Sequence, residues 1–202
     1  MSDRRRARKR RKSPLGAVIA VLVAAVIMCI IAIGIMKLDL SALRGYPVKY
    51  VSEIRAAAAE NSIPAPYIAS IIMAESSYRT DAVSSVGARG LMQIMPDTGE
   101  WIAGKFDEEF TADALFEPNV SIKYGAWYLG FLMDRYGGDM RCATAAYHAG
   151  QGTVDRWLSD PAYSSDGNTL TTIGYESTNT YVGRVLKYYE YYAEAYEEIE
   201  AE

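Results

Sequence analysis

The sequence predicts a mostly α-helical domain that follows a single N-terminal transmembrane helix. Two observations support this fold class. A run of 22 uncharged residues, Leu15 to Met36, follows a strongly basic N-terminus. Beyond it, apolar residues recur at helical spacing between prolines and glycines, whereas few segments have the composition of a strand, residues 169–173 most of all.

The first observation predicts a membrane anchor. Residues 1–14 carry eight Lys or Arg and one Asp, and a helix as long as the uncharged run spans ~33 Å, enough to cross a bilayer core. The run ends without the small-residue cleavage site of a signal peptide, so we expect a retained signal-anchor with its basic flank in the cytoplasm. The predicted organisation is a basic cytoplasmic tail (1–14), a transmembrane helix in the lipid bilayer (15–36), a juxtamembrane linker (37–46) and an extracytoplasmic domain (47–202).

Charge and residue usage restrict the function of the predicted domain. The net charge of −4 combines +7 in residues 1–14 with −11 in the rest of the chain, and so acidic a domain is a poor candidate for binding nucleic acid. Cys29 lies in the predicted membrane helix and Cys142 in the domain, so the two cannot pair within one chain. With a single histidine the sequence predicts no metal cluster, and no cofactor is expected.

The prolines, the glycines and the spacing of apolar residues locate the predicted helices along the chain. Several predicted helices begin at a proline or end at a glycine, as capping preferences require. Residues 80–89 predict an irregular segment and residues 159–175 a long loop rich in Ser, Asp, Gly and Thr. The predicted helices are Val48–Glu60, Ala65–Ser76, Met95–Lys105, Pro118–Tyr136, Met140–Ala149, Gly152–Leu158 and Asn179–Glu198.

One carboxylate interrupts an apolar helical stripe. Ile68, Ile71, Ile72 and Glu75 follow the i, i+3, i+4, i+7 spacing of one face of an amphipathic helix. Burial at that position and the negative end of the helix dipole both raise the pKa of a carboxyl group, as a general acid working near neutral pH requires. A glutamate at the rim that extends to water is the alternative interpretation.

Three further segments contain candidate site residues. Gln93 lies in the apolar run between Gly87 and Thr98, where its amide can bind a saccharide or satisfy buried backbone groups. His148 is the only histidine, and it is either a general base or a structural residue. Tyr181, at the start of the last helix, either points into a cleft or packs in the core.

These segments resemble, in order, the motifs of the soluble lytic transglycosylase (SLT) catalytic domain. The matching stretches are Glu75-Ser76, Gly90-Leu-Met-Gln-Ile-Met-Pro96, Ala146-Tyr-His-Ala-Gly150 and Tyr181-Val-x-Arg-Val-Leu186. The resemblance extends from about Ser62 to Tyr192. It implies a goose-lysozyme-like helical fold and cleavage of the MurNAc–GlcNAc β-1,4 bond of peptidoglycan.

The resemblance also implies a role for each matching residue. Glu75 resembles the family's single catalytic acid, and Tyr181 resembles the tyrosine that contacts it. The implied substrate-binding residues are Ser76, Ser84, Gln93, Met95, Tyr147, His148 and Tyr181. The sequence departs from the family at two places: His148 replaces the usual Asn, and Ser177-Thr178 replaces the usual Glu-Thr, with Glu176 one residue early.

The implied reaction uses one carboxylate rather than two. Glu75 would protonate the glycosidic oxygen and then take the proton from the C6 hydroxyl of MurNAc as that oxygen closes onto C1. The product is a 1,6-anhydro sugar, formed without metal or cofactor. Two alternatives stay open: a muramidase on the same fold, with Asp81 or Asp97 positioning a water, and a non-catalytic wall-binding module. Peptidoglycan glycan strands are the expected partner in each case.

Overall fold

The computed structural model describes residues 45–200. The predicted basic tail (1–14), the predicted transmembrane helix (15–36) and residues 37–44 of the predicted linker lie outside the described residues. Between residues 45 and 200, no helix has the length and apolar character needed to cross a membrane.

Helices account for most of the described structure, which confirms the mostly α-helical fold class. The elements are α1 (Val51–Glu60), α2 (Ala65–Ser76), α3 (Pro96–Ala103), a 3-10 helix (Ala112–Phe116), α4 (Pro118–Arg135), α5 (Met140–Ala149), α6 (Gln151–Leu158) and α7 (Glu176–Glu200). The observed bounds of α2 and α5 are those predicted, and α4 and α6 each differ by one residue. The 3-10 helix has only five residues, too few for a periodic signal.

Two helices begin three residues away from the predicted position. Helix α1 starts at Val51 rather than Val48, because Tyr50 has a left-handed backbone conformation with φ of 56°. Helix α7 starts three residues before the predicted Asn179, whose amide already donates a helical hydrogen bond to the Tyr175 carbonyl at 2.9 Å.

Residues 159–175 form the long loop that the sequence predicts, and residues 169–173 do not form a strand despite their strand-like composition. The carboxylate of Asp166 accepts hydrogen bonds from the backbone amides of Asn168 and Thr169, both at 2.8 Å, and these bonds curl the chain into a turn. Leu170 and Ile173 are buried. The apolar residues of this stretch therefore pack against the core from a loop instead of pairing in a sheet.

Helix α2 lies at the centre of the core. It packs against α1, α4 and α7, and every residue from Tyr67 to Ile72 is buried. The expected single apolar stripe is wrong for this helix, because its neighbours cover more than one face. Its polar groups are satisfied inside the core: Tyr67 Oη lies 2.8 Å from Thr144 Oγ1, and Ser70 Oγ donates to the Tyr67 carbonyl at 2.7 Å.

The segment from residue 82 to 94 folds back on itself beside the 3-10 helix. Arg89 forms isolated β-bridges with Val83 and Ile94. Gly90 has φ of 75°, and a side chain at this position would overlap the carbonyl oxygen of Leu115. Only glycine permits both the left-handed backbone and this close approach, so the glycine of the Gly90–Pro96 motif is required by the fold.

Replacing Gly90 with alanine is therefore expected to destabilise the domain by about 3 kcal/mol or more, because the strained φ and the overlap with Leu115 act together. Gly137 has φ of 60° with open space around it, so Gly137→Ala is the matched control, and it should lose about 1 kcal/mol. Urea unfolding of both variants measures the free energies. Equal losses would contradict the role given to the Leu115 contact.

Candidate active site

Glu75 lies in the last turn of α2, where the buried helix reaches the edge of the core. Ser77 and Tyr78 follow with φ of 52° and 64°, and this left-handed pair ends the helix. Tyr78 is itself buried, whereas Glu75 is partly exposed. The chain thus presents a carboxylate at the boundary between core and solvent.

Helix α7 packs along α2 and brings Tyr181 to the same place. The Tyr181 side chain is buried, and its hydroxyl donates to Glu75 Oε1 at 2.6 Å across 106 positions of sequence. A hydroxyl at this distance from an ionised carboxylate forms a short, charge-assisted hydrogen bond. The two residues that the resemblance pairs are therefore together in the structure.

The pKa of Glu75 is raised from its usual 4.5 to about 7. Burial is the largest cause, because it disfavours the charged carboxylate. The hydrogen bond from Tyr181 and the positive charge of Arg184 act in the opposite direction and limit the rise. Near neutral pH the carboxyl is thus divided between its protonated and ionised forms, and it can donate or accept a proton.

Helix α5 contributes Tyr147 to this site. Its hydroxyl donates to the Met92 carbonyl at 2.8 Å, which ties α5 to the motif that begins at Gly90. Burial, and then the neighbouring charge of Glu75, raise the pKa of the Tyr147 hydroxyl. Its ring meets that of Tyr128 on α4, with centroids 5.5 Å apart.

His148 contacts the start of α7. Its Nδ1 lies 3.0 Å from Thr178 Oγ1, and its ring lies against that of Tyr181, with centroids 4.6 Å apart. Partial burial and the charge of Arg184 lower the pKa of His148, so the imidazole is mostly neutral at pH 7. Within residues 45–200 its hydrogen-bond partner is Thr178 and not Glu75, which favours positioning or ligand binding over the general-base alternative.

Gln93 and Ser84 shape the loop next to the site. Gln93 has φ of 48°, and its Nε2 donates to the carbonyls of Ala82 and Gly90, both at 3.0 Å. Ser84 Oγ accepts from the Ala88 amide at 2.9 Å. The side-chain nitrogen of Gln93 therefore satisfies backbone carbonyls, the second of the two roles that the sequence allows for this amide. Its carbonyl oxygen has no hydrogen-bond partner in the described part of the chain and stays available to a ligand.

Ser76 and Met95 occupy opposite environments. Ser76 is 1% exposed, and its hydroxyl donates to the Ile72 carbonyl at 3.2 Å inside α2. The structure therefore does not present Ser76 to a substrate, contrary to the expectation from the sequence. Met95 precedes α3 and is 40% exposed. Of the predicted site residues, the structure brings Glu75, Tyr147, His148 and Tyr181 together and places Ser84 and Gln93 in the adjoining loop.

Sequence reasoning missed a groove that includes Tyr128, the residue whose ring meets that of Tyr147. It has a volume of about 220 Å³ and is lined by Asp97, Thr98, Trp101, Tyr128 and Gln151. Trp101 is 39% exposed, although its ring also meets those of Trp127 and Phe131. The available signal in the sequence was the tryptophan itself, within a predicted helix. Only the fold exposes its indole and places it beside Tyr128.

A second, larger cavity of about 820 Å³ contains none of the predicted site residues. It is lined by residues 134–139, Asp155, Leu158 and residues 167–169. Three of its side chains are aspartates, but no group of three or more His, Cys, Asp or Glu among residues 45–200 is arranged to hold a metal. The chemistry that the sequence predicts therefore lies at Glu75 and not at this cavity.

Comparison with known proteins identifies the family. The family described as Transglycosylase SLT domain matches residues 52–169. The chain belongs to this family. Soluble lytic murein transglycosylase of Escherichia coli K12 is 32% identical over 150 residues, 73% of this chain and 23% of that relative. Membrane-bound lytic murein transglycosylase C of Serratia proteamaculans is 32% identical over 127 residues, 55% of this chain and 34% of that relative.

Solved structures agree with the assignment to the SLT family. The lytic transglycosylase Slt of Pseudomonas aeruginosa, crystallised as an inactive variant, superposes with a TM-score of 0.66 at 29% identity, covering 75% of this chain and 25% of that one. The 70 kDa soluble lytic transglycosylase of Escherichia coli gives 0.65 at 30% identity, covering 73% and 24%. The lysozyme-like helical fold is therefore confirmed for this SLT domain, which spans about a quarter of the length of these relatives.

The raised pKa of Glu75 makes the stability of the domain depend on pH. Its folded pKa of about 7 exceeds the usual 4.5, so the stability contributed by the neutral carboxyl is complete below 4.5 and is lost as pH rises through 7. We compare the free energy of unfolding of Glu75→Gln with that of the wild type. As pH rises from about 4 to about 8, this difference should shift in favour of Glu75→Gln by up to about 3 kcal/mol, because only the wild type loses the stability of the neutral carboxyl. Urea unfolding at both pH values measures this change.

Glu190, an exposed glutamate on α7, supplies the matched control for that experiment. Glu190→Gln removes the same carboxylate from a solvated position, so its stability relative to wild type should change little between the two pH values. A pH-independent effect of Glu75→Gln would mean that the buried carboxyl does not ionise in this range.

Proposed function

We propose that this SLT domain is a lytic transglycosylase that cleaves the MurNAc–GlcNAc β-1,4 bond of peptidoglycan, with Glu75 as its single acid and base. The observation that carries the proposal is the partly buried Glu75, whose pKa lies near neutrality and whose carboxylate is held by Tyr181. The relatives are called lytic murein transglycosylases, which supports the substrate class. The inactive Pseudomonas aeruginosa variant has one glutamate changed to glutamine, in agreement with dependence on a single glutamate.

In the first step Glu75 acts as the acid. Its protonated carboxyl donates to the glycosidic oxygen, the bond between that oxygen and C1 of MurNAc breaks with its electron pair passing to the oxygen, and an oxocarbenium-like state forms. The carboxylate left behind accepts the hydrogen bond from Tyr181, which stabilises its charge.

In the second step the same carboxylate acts as the base. It takes the proton from the C6 hydroxyl of MurNAc while O6 bonds to C1, which closes the 1,6-anhydro ring and returns Glu75 to its protonated form. Water is not consumed, and the chemistry requires no cofactor. A pKa near 7 suits both steps, because neither form of the carboxyl is strongly disfavoured.

Hydrolysis by a muramidase is the second candidate. Ordinary glycoside hydrolases use two carboxyl groups about 5 to 9.5 Å apart. The described side chains that act on Glu75 by hydrogen bond or charge are Tyr181 and Arg184, neither of which is a carboxylate. In the alternative mechanism Asp81 or Asp97 would position a water, and Asp97 lines the groove that includes Tyr128.

The product distinguishes these two reactions. Purified domain acting on peptidoglycan is expected to release fragments that end in 1,6-anhydro-MurNAc and are lighter than the hydrolytic product by one water. Mass spectrometry of the soluble digest identifies the sugar end. Fragments that end only in reducing MurNAc would refute the transglycosylase and favour the muramidase, while binding without any release would favour the wall-binding module.

Removing the acid should abolish cleavage while preserving the fold. We expect Glu75→Gln to reduce the rate of anhydro-product release by about 10²- to 10⁴-fold, because general acid–base catalysis typically contributes that factor. For the wild type, kcat/KM should fall as pH rises through about 7, where Glu75 loses its proton. Glu190→Gln is again the control, and wild-type activity in Glu75→Gln would show that another group supplies the proton.

We also propose that the domain works at the outer face of a membrane. Residues 15–36 would anchor it in the lipid bilayer, residues 1–14 would stay in the cytoplasm, and residues 47–202 would form the extracytoplasmic enzyme. The uncharged run and its basic flank support this arrangement, and some relatives are named as membrane-bound. The linker, residues 37–46, would reach ~35 Å at most, so the enzyme would act on glycan strands near the membrane.

Protease accessibility tests this topology. Protease added to intact wall-stripped cells is expected to digest the domain and leave a membrane-protected fragment that contains residues 1–36. A tag placed before residue 1 marks that fragment on a blot. Protection of the domain until the cells are lysed would reverse the proposed orientation, and recovery of the domain in the soluble fraction would contradict the anchor.

A further inference from the structure

Arg184 lies one helical turn after Tyr181 on α7, where it contacts both helices that form the site. Its Cζ is 5.6 Å from the centroid of the Tyr181 ring. Its Nη2 donates a long hydrogen bond, 3.4 Å, to the carbonyl of Ala74, the residue immediately before Glu75. The guanidinium therefore bridges the tyrosine that holds the carboxylate and the helical turn that carries it.

Four titratable side chains near Glu75 are neutral near pH 7. Tyr181 and Tyr147 face it from α7 and α5, and burial raises the pKa of both phenols. Tyr67, on α2 itself, has its pKa raised by burial as well. His148 lies against the Tyr181 ring with a lowered pKa. Among the described residues, Arg184 is thus the charged group that acts on the carboxyl.

We propose that Arg184 is a positioning residue of this site, which holds the Tyr181 ring against Glu75 and provides the counter-charge for the ionised carboxylate. The inference deepens the proposed function and rests on it, because the ionised carboxylate is the species formed after proton donation. Burial alone would make Glu75 a weak acid and a slow proton donor. The guanidinium offsets part of that effect from its place against the Tyr181 ring and the Ala74 carbonyl.

Two substitutions separate charge from packing. Arg184→Gln removes the charge, and Arg184→Lys retains it while removing the planar group over Tyr181. Lys187, exposed three residues further along α7, provides the matched control, because Lys187→Gln removes the same charge from the same helix. The primary measurement is the pKa of the Glu75 carboxyl by ¹³C NMR titration of the folded protein, which does not require catalysis.

Arg184→Gln is expected to raise the pKa of Glu75 by about 0.5 to 1, a modest effect because the guanidinium is exposed and screened by water and salt. The alkaline limb of kcat/KM for anhydro-product release should move to higher pH by the same amount, while the plateau rate falls several-fold. Arg184→Lys should return the alkaline limb to its wild-type pH but should not restore the full plateau rate. Lys187→Gln should leave both close to wild type.

The proposal fails if Arg184→Gln leaves the pKa of Glu75 unchanged, if Lys187→Gln raises it equally, or if Arg184→Lys behaves like Arg184→Gln in the titration. Circular dichroism checks that each variant folds, and Arg184→Met, which keeps the apolar stem over Tyr181, replaces Arg184→Gln if that variant does not. A shifted titration in a domain that makes no anhydro product would support the role of Arg184 and refute the proposed function.

Discussion

The hydrogen bond between Tyr181 and Glu75 depends on the packing of α7 along α2, and the rest of the site is organised around that contact. Helix α2 is buried along most of its length, and its last turn places a carboxylate at the edge of the core. Burial there raises the pKa of Glu75, and a hydrogen bond and a guanidinium from α7 limit the rise. The same packing therefore supplies both the cause of the pKa shift and the groups that moderate it.

The loop beside Glu75 has an architectural role as well as a possible binding role. Gly90 has a backbone conformation and a contact with Leu115 that exclude a side chain, and Gln93 uses its amide nitrogen to hold the carbonyls of Ala82 and Gly90. Residues of a functional motif can therefore be required by the geometry of the loop itself. The free oxygen of Gln93 is the part of that side chain that remains for a saccharide.

The two departures from the family pattern lie close together. His148, at the position where the family usually has Asn, bonds through Nδ1 to Thr178, in the motif where Ser177 replaces the usual Glu. Its ring also lies against Tyr181. The changed residue at the end of α5 thus contacts the residue that follows the change at the start of α7, next to the tyrosine that holds Glu75. Glu176 and Ser177 are exposed, while Thr178 is buried and carries the contact.

The sequence by itself determined the helical class, the bounds of α2 and α5, the ordered motifs and the unusual carboxylate at position 75, because these follow from local spacing and from residue type. It could not determine that α2 is covered on more than one face or that Ser76 faces the core. Each of these depends on which elements pack together, and local periodicity carries no information about distant partners. The proximity of Glu75, Tyr147, His148, Tyr181 and Arg184 follows only from the packing of α2, α5 and α7. The hydrogen bond from Tyr181 to Glu75 alone joins residues 106 positions apart.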